Sequence, residues 1–257
     1  MARQRRHNRT RHARRGRFRV LHQLLAVLLT VAVLFAGCIV FFRVQTVDVA
    51  GNRRYTADEV IDVSGIEIGD YLALLDKNYI VRKIRSALPY VETVSIKRDL
   101  PDSVLITVTE STPAAAVKAA ESWWLINSSG KLLEEVSSPG SYAILAGISP
   151  MSPSAGSMAL LFEESSIRWE YAMSFLRALQ EQGLAGELTN LDCSSAGTFT
   201  ASYGDRFTLL IPSTGNFDEY LTLFVRAVDE ELDESETGIF DFTHYDSTGY
   251  VYFRHEN

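Results

Sequence analysis

Two kinds of apolar pattern divide the chain. The first is a block: Leu24 to Phe42 is a run of nineteen uncharged residues closed by Arg43. As a helix it would measure about 28 Å, close to the ~30 Å hydrocarbon core of a bilayer, and it predicts one membrane-spanning segment over residues 24–42. The second is periodic and begins at once. Val44 to Val49 is rich in β-branched residues and predicts a strand, with Gly51-Asn52 as its turn. Thr56-Ala57-Asp58-Glu59 has the form of a capping box opening a short helix through Val60 and Val63. Ile66 to Leu75, with Gly69-Asp70, is a connector. Asp76 can cap a second helix in which Ile80, Ile84 and Leu88 make one apolar stripe, and Pro89 stops it. Val94 and Ile96 share a face of one strand; Val104, Ile106 and Val108 share a face of the next, across a Leu100-Pro101-Asp102 turn. This strand-helix-helix-strand-strand order predicts one mixed sheet with two helices on a face.

Thr112-Pro113 marks a boundary, after which strands dominate. Trp123 to Asn127 and Lys131 to Val136 form a predicted hairpin across Ser128-Ser129-Gly130, and Tyr142 to Ala146 is a further strand. Alternation puts one of Trp123 and Trp124 in the core. Ile167 to about Gln182 reads as a helix with Ile167, Tyr171, Phe175, Ala178 and Leu179 inward. Leu188 to Cys193, Thr198 to Ser202 and Phe207 to Ile211 are strands. Asn216 caps a last helix with a stripe of Leu221, Phe224, Val225, Val228 and Leu232. Gly238 to Phe242 and Gly249 to Phe253 then form a terminal hairpin across Tyr245-Asp246-Ser247. The expected organisation is a tail (1–23), a membrane helix (24–42), a first domain (44–112) and a second, strand-rich domain with two helices (113–257). The fold class is α+β.

Charge sharpens the topology. Residues 1–19 carry nine arginines and no acid, whereas the rest holds sixteen basic against thirty-two acidic residues. The positive-inside rule places the N-terminus in the cytoplasm and the bulk of the chain outside the membrane. An acidic exterior repels phosphate, so nucleic acid is not an expected partner. The apolar run is too long for a cleaved signal. Leu34 to Cys38 has the outline of a lipobox, but Phe35 stands where a small aliphatic residue belongs and apolar sequence continues past Cys38. Cys38 and Cys193 are placed too differently to form a disulfide, and neither has metal-site spacing.

From Val47 to Ala115 the residues also support a resemblance. Val49-x-Gly51-Asn52, the helix after Thr56, Gly69-Asp70 with Leu72, Leu88-Pro89-Tyr90-Val91, Arg98-x-Leu100-Pro101, Thr107-Val108-x-Glu110 and Pro113-Ala114-Ala115 occur in an order that resembles the POTRA domain of the FtsQ/DivIB family of bacterial cell-division proteins. The resemblance implies a single transmembrane helix, a POTRA domain (β-α-α-β-β) and a mixed β domain, at the division septum. It implies a scaffold rather than an enzyme, and FtsB/DivIC-like and FtsL-like bitopic proteins as partners among other divisome components. It further implies that the last strands receive the FtsB-type partner, here through Tyr245, Asp246, Ser247, Tyr250, Val251, Tyr252 and Phe253. Where some members end in Trp this chain has Phe253. A POTRA component of a secretion or outer-membrane assembly system is the alternative, but it would carry several such repeats and a barrel.

The C-terminal strand has an independent physical reading. An edge strand carries unpaired N–H and C=O groups that can recruit an extended segment, so Tyr252→Pro should remove a donor that the partner needs. An inner strand with its aromatics shared between core and surface is the competing reading. Catalytic motifs are missing: there is no Gly-x-Ser-x-Gly, HExxH, P-loop or GxGxxG, and no histidine between residues 23 and 243. The acidic run from Asp229 to Glu236 lacks EF-hand spacing. No enzyme activity, cofactor or metal is expected.

Overall fold

The computed structural model describes residues 13–233 and 235–256, without the side chains of residues 13–21, 35, 36 and 38–40. Residues 1–12 of the arginine tail, and the side chains of its remaining arginines and of Cys38, therefore lie outside what is described. Helix α1 (Ala13–Phe41) leads in, with Leu24 to Leu34 exposed. Among the described residues no helix is long and apolar enough to cross a membrane.

The first unit is a three-stranded sheet under two helices. β1 (Thr46–Ala50) runs parallel to β3 (Ser103–Glu110), and β2 (Val91–Asp99) pairs antiparallel on the other side of β3. Between β1 and β2 come α2 (Ala57–Ser64) and α3 (Lys77–Ala87). Both helix starts follow the local chemistry. Thr56 and Glu59 complete a reciprocal capping box, and the Asp76 carboxylate accepts the Tyr79 N–H at 3.1 Å. Ile80, Ile84 and Leu88 on the helix side and Ile96, Val104, Ile106 and Val108 on the sheet form one buried cluster.

The second unit is a nine-stranded mixed sheet in the order β12-β11-β10-β9-β8-β7-β4-β5-β6. Its strands are β4 (Ala115–Ala119), β5 (Ser122–Ile126), β6 (Leu132–Val136), β7 (Ile144–Ala146), β8 (Leu188–Asp192), β9 (Thr198–Tyr203), β10 (Phe207–Pro212), β11 (Gly238–Asp241) and β12 (Tyr252–His255). Two of its parallel pairs, β7–β8 and β10–β11, are each bridged by a crossover helix: α4 (Glu163–Glu181) for the first, α5 (Phe217–Glu230) for the second. Parallel neighbours cannot be joined by a tight turn, which is why these two helices exist. They pack beside one another, with Phe175 and Phe217 edge to face at 5.5 Å, and join the main core with Trp124, Phe199, Phe207, Leu209 and Phe240.

The far end of the sheet's other face is covered by the first unit. Tyr90 is buried against Ala116, Leu125 and Leu133. Around it the Glu92 carboxylate accepts from Ser111 Oγ (2.6 Å) and Asn127 Nδ2 (2.7 Å), and buried Lys131 Nζ donates to Val91 O at 2.9 Å. Buried polar groups joined this way cost little and fix one register between the two sheets.

Four expectations need correction. β4 is absent from the sequence reading because Ala115-Ala116-Val117-Lys118-Ala119 shows neither alternation nor strong strand formers; it is an inner strand buried on both faces. Ile167 faces solvent at 62% exposure, while Trp169, Ala172, Met173 and Leu176 are buried. Phe175, Ala178 and Leu179 of the expected stripe are buried and Tyr171 packs on the core, so the buried face of α4 is wider than that stripe and only Ile167 lies off it. Tyr245-Asp246-Ser247 is not a hairpin turn but part of a short helical turn, α6 (Tyr245–Thr248), ended by Gly249 at φ +72°. Finally, the last strand starts at Tyr252, so Tyr250 and Val251 precede the ladder.

Candidate functional site: the C-terminal sheet edge

β12 is the terminal strand of the large sheet. It pairs with β11 in the register Gly238↔His255, Ile239↔Arg254, Phe240↔Phe253 and Asp241↔Tyr252. Among the described residues no strand pairs with its outer side. In an antiparallel ladder only alternate residues bond to a given neighbour. The Glu256 N–H donates to Thr237 O at 3.1 Å, which sets the phase: Tyr252 and Arg254 turn their backbone groups to β11. β11 agrees from its other side, where the Gly238 and Phe242 N–H groups donate to Arg206 O and Leu210 O beside β10. The backbone N–H and C=O of Phe253 and His255 therefore point to the open edge. This corrects the Tyr252→Pro expectation. Tyr252 N–H belongs to the internal ladder, so proline there would damage the fold itself.

Side chains alternate as well. Phe253 turns inward onto Phe240, 4.8 Å between ring centroids, and its other flank meets the His255 ring at 4.9 Å. Gly238 makes room for this. A Cβ there would meet Arg254 O at 2.3 Å and the Phe253 ring at 2.7 Å. Tyr252 and Arg254 face the opposite, open side and are exposed.

The connection before β12 is pinned from α5. The half-buried Tyr245 donates to Glu219 Oε1 at 2.7 Å, and the buried Tyr220 donates to Asp246 Oδ1 at 2.8 Å. The two rings meet edge to face at 5.7 Å. Ser247 Oγ donates to His244 O at 2.9 Å. Tyr250 is exposed, its N–H donating to Thr248 Oγ1, and Val251 packs on the main core. Of the seven residues named from sequence, Tyr252 and Phe253 lie on the edge strand, and Tyr245, Asp246 and Ser247 form the turn that aims it. Sequence reasoning missed His255 and Arg254, the supporting pair Glu219 and Tyr220, and Gly238. Tyr220 sits next to the apolar stripe of α5, which was the available signal; the others become visible only once the pairing is known.

Both tyrosine pairs leave a pH signature. Burial, then the hydrogen bond to Asp246, pushes the Tyr220 phenol above its ordinary value; the hydrogen bond to Glu219 raises that of Tyr245. A raised folded-state pKa contributes stability that is complete below the unfolded value, about 10, and is lost as pH climbs through the folded one. Unfolding free energy should thus fall above about pH 10, more shallowly in Tyr220→Phe. Denaturation at stepped alkaline pH, with phenolate absorbance as a second probe, measures this; identical slopes for the two proteins would refute it.

Comparison with known proteins bears on the first unit. Residues 42–111 match the family model of the POTRA domain, FtsQ-type. The cell division protein FtsQ of Corynebacterium glutamicum is 31% identical over 108 residues, 42% of this chain and 48% of that protein. The cell division protein DivIB of Clostridium acetobutylicum is 29% identical over 94 residues, 37% of each chain. Residues 42–111 are thus similar to the POTRA domain of the FtsQ type, and the chain is similar to FtsQ/DivIB cell-division proteins.

Other FtsQ relatives repeat the finding; that of Streptomyces bingchenggensis is 30% identical over 96 residues, 37% of this chain and 36% of its own. These matches span about a third to a half of each relative's length. The relatives carry the names of cell-division proteins rather than of enzymes. The stretch that matches the POTRA model is the three-stranded unit, whereas the open edge of β12 lies outside it.

Proposed function

We propose that this protein is a non-catalytic, single-pass membrane scaffold of the bacterial divisome, of the FtsQ/DivIB type. The uncharged run Leu24–Phe42 anchors it, the arginine-rich tail stays in the cytoplasm, and the two sheet units work outside the membrane to support septum formation. FtsB/DivIC-type and FtsL-type bitopic proteins are its partners. The observation that carries this reading is the open β12 edge, whose outward groups on Phe253 and His255 suit an extended partner segment added as a further strand. Backbone bonds supply affinity there, and Tyr252 and Arg254 offer a side-chain surface beside them.

The test separates edge from fold. His255 is exposed, and its N–H is an outward donor not used in the ladder, so His255→Pro should leave thermal stability nearly unchanged and abolish co-purification with the FtsB/DivIC-type partner. Arg254→Pro breaks the bond to Ile239 and should cost stability. Full partner recovery with His255→Pro would sink the edge reading, and a uniform envelope signal from the tagged protein, in place of a midcell band, would sink the divisome reading.

A further inference from the structure

The first unit keeps its apolar exterior at one pole. Within residues 42–112 the large exposed apolar side chains are Leu74 (79%), Ile68 (69%), Leu100 (67%), Tyr79 (56%) and Tyr71 (37%). They come from three separated segments: the connector after α2, the first turn of α3 and the β2–β3 turn. Backbone bonds bring those segments to the place where α1 ends. Leu72 N–H donates to Phe42 O at 3.2 Å, Gly69 N–H to Val44 O at 2.8 Å, and Gln45 N–H to Asp102 O at 2.7 Å. Arg43 binds Tyr71 twice, by Nη2 to the hydroxyl at 2.8 Å and by stacking at 4.6 Å from the ring centroid. Arg98 Nη2 ties the Leu75 carbonyl down at 2.7 Å, holding the connector against the end of β2.

Burial explains none of these five side chains, since the unit's own core is complete without them. A water-facing pole would not collect every large apolar residue the unit exposes. Its composition is that of a bilayer interface: aliphatic residues, two tyrosines and an arginine at the end of an apolar helix. Two of the acidic groups nearby are committed to the backbone, while Glu67 and Asp99 stay exposed at the rim. Asp70 accepts from Glu67 N–H at 3.0 Å and Asp76 caps α3.

We infer that this pole, led by Ile68, Leu74 and Leu100 with Tyr71 and Tyr79 around them, rests in the headgroup and upper acyl region of the bilayer. The first unit then stands directly on the membrane rather than on a free tether, which fixes the direction of the second unit and of its edge strand. This inference rests on the proposed membrane anchoring of α1.

The experiment uses the full chain in phosphatidylcholine nanodiscs, with a fluorophore at single cysteines. Cys193 is buried and its thiol is pushed up to about 12 by burial, so it stays unlabelled. Native Cys38 reports on the anchor. Leu74→Cys and Arg53→Cys, each with Cys38→Ser, report on the pole and on an exposed position beyond the other end of β1. Lipids spin-labelled deep in the acyl chain should quench position 38. Lipids labelled at the headgroup or upper chain should remove most of the fluorescence at position 74 and little at position 53. A quenched position 38 with position 74 behaving like position 53 overturns this inference and leaves the anchor standing, as it would if a protein segment covered the pole. An unquenched position 38 overturns both.

Discussion

Replacing Phe240 by alanine should cost about 3–5 kcal/mol of unfolding free energy and eliminate the proposed partner binding together with it. Phe240 is buried in β11, and its ring meets those of Phe207 (5.5 Å), Phe224 (5.1 Å), Phe242 (6.4 Å) and Phe253 (4.8 Å). It joins α5, the inner strands and the edge strand in one aromatic cluster, so the cavity left by alanine cannot close by moving a single neighbour. Phe253 loses its seat, and β12, four residues long, has little else to hold it. Urea denaturation gives the stability term. Backbone hydrogen exchange at residues 252–255 gives the second: fast exchange at Tyr252 and Arg254, the residues bonded to β11, would show the strand released. A loss under about 1 kcal/mol with those amides still protected would mean that Phe240 does not hold the edge.

Tyr90→Ala should have a comparable effect by a different route. The ring is buried between the two sheets, the Arg54 guanidinium lies 3.8 Å from its centroid, and its hydroxyl donates to Glu134 at 2.6 Å while Arg54 pairs with the same carboxylate at 2.9 Å. Truncation removes the apolar contact with Ala116, Leu125 and Leu133 and leaves Glu134 without its phenol donor. We expect a loss of about 3–5 kcal/mol and, in calorimetry, one transition split into two as the units uncouple. Tyr90→Phe keeps the ring and should lose only about 1 kcal/mol with a single transition. A single, unshifted transition in Tyr90→Ala would show that the junction does not couple the units.

Local chemistry made much of the fold readable in advance. Thr56 and Glu59 satisfy each other's backbone within one turn, and the side chains of Asp76 and Asn216 each accept one backbone N–H at the starts of α3 and α5. The stripe Ile80, Ile84, Leu88 and the alternation Val104, Ile106, Val108 need only one buried face each to be recognised. The reading failed where local signals were weak or double. β4 is alanine-rich and hidden on both sides, and the buried face of α4 is wider than the single stripe its spacing suggests. At the C-terminal edge the sequence placed the strand with the wrong phase. Tyr250 and Val251 precede the strand, and the residues whose backbone faces outward are Phe253 and His255.

By itself, then, the sequence determined most of the elements, the break near Pro113, the apolar run and its charge asymmetry, and the resemblance of the first unit to a POTRA domain of the FtsQ type. These depend on contacts between residues a few positions apart, or on composition along a segment. Tertiary structure decided which strand is left at the edge, which of its amides face outward, that Tyr90 couples the two sheets, and that Ile68, Leu74 and Leu100 meet at one pole. An edge is defined by a neighbour that is missing, and a pole by segments far apart in the chain. Neither leaves a periodic trace along the sequence, because what sets them is pairing across the fold.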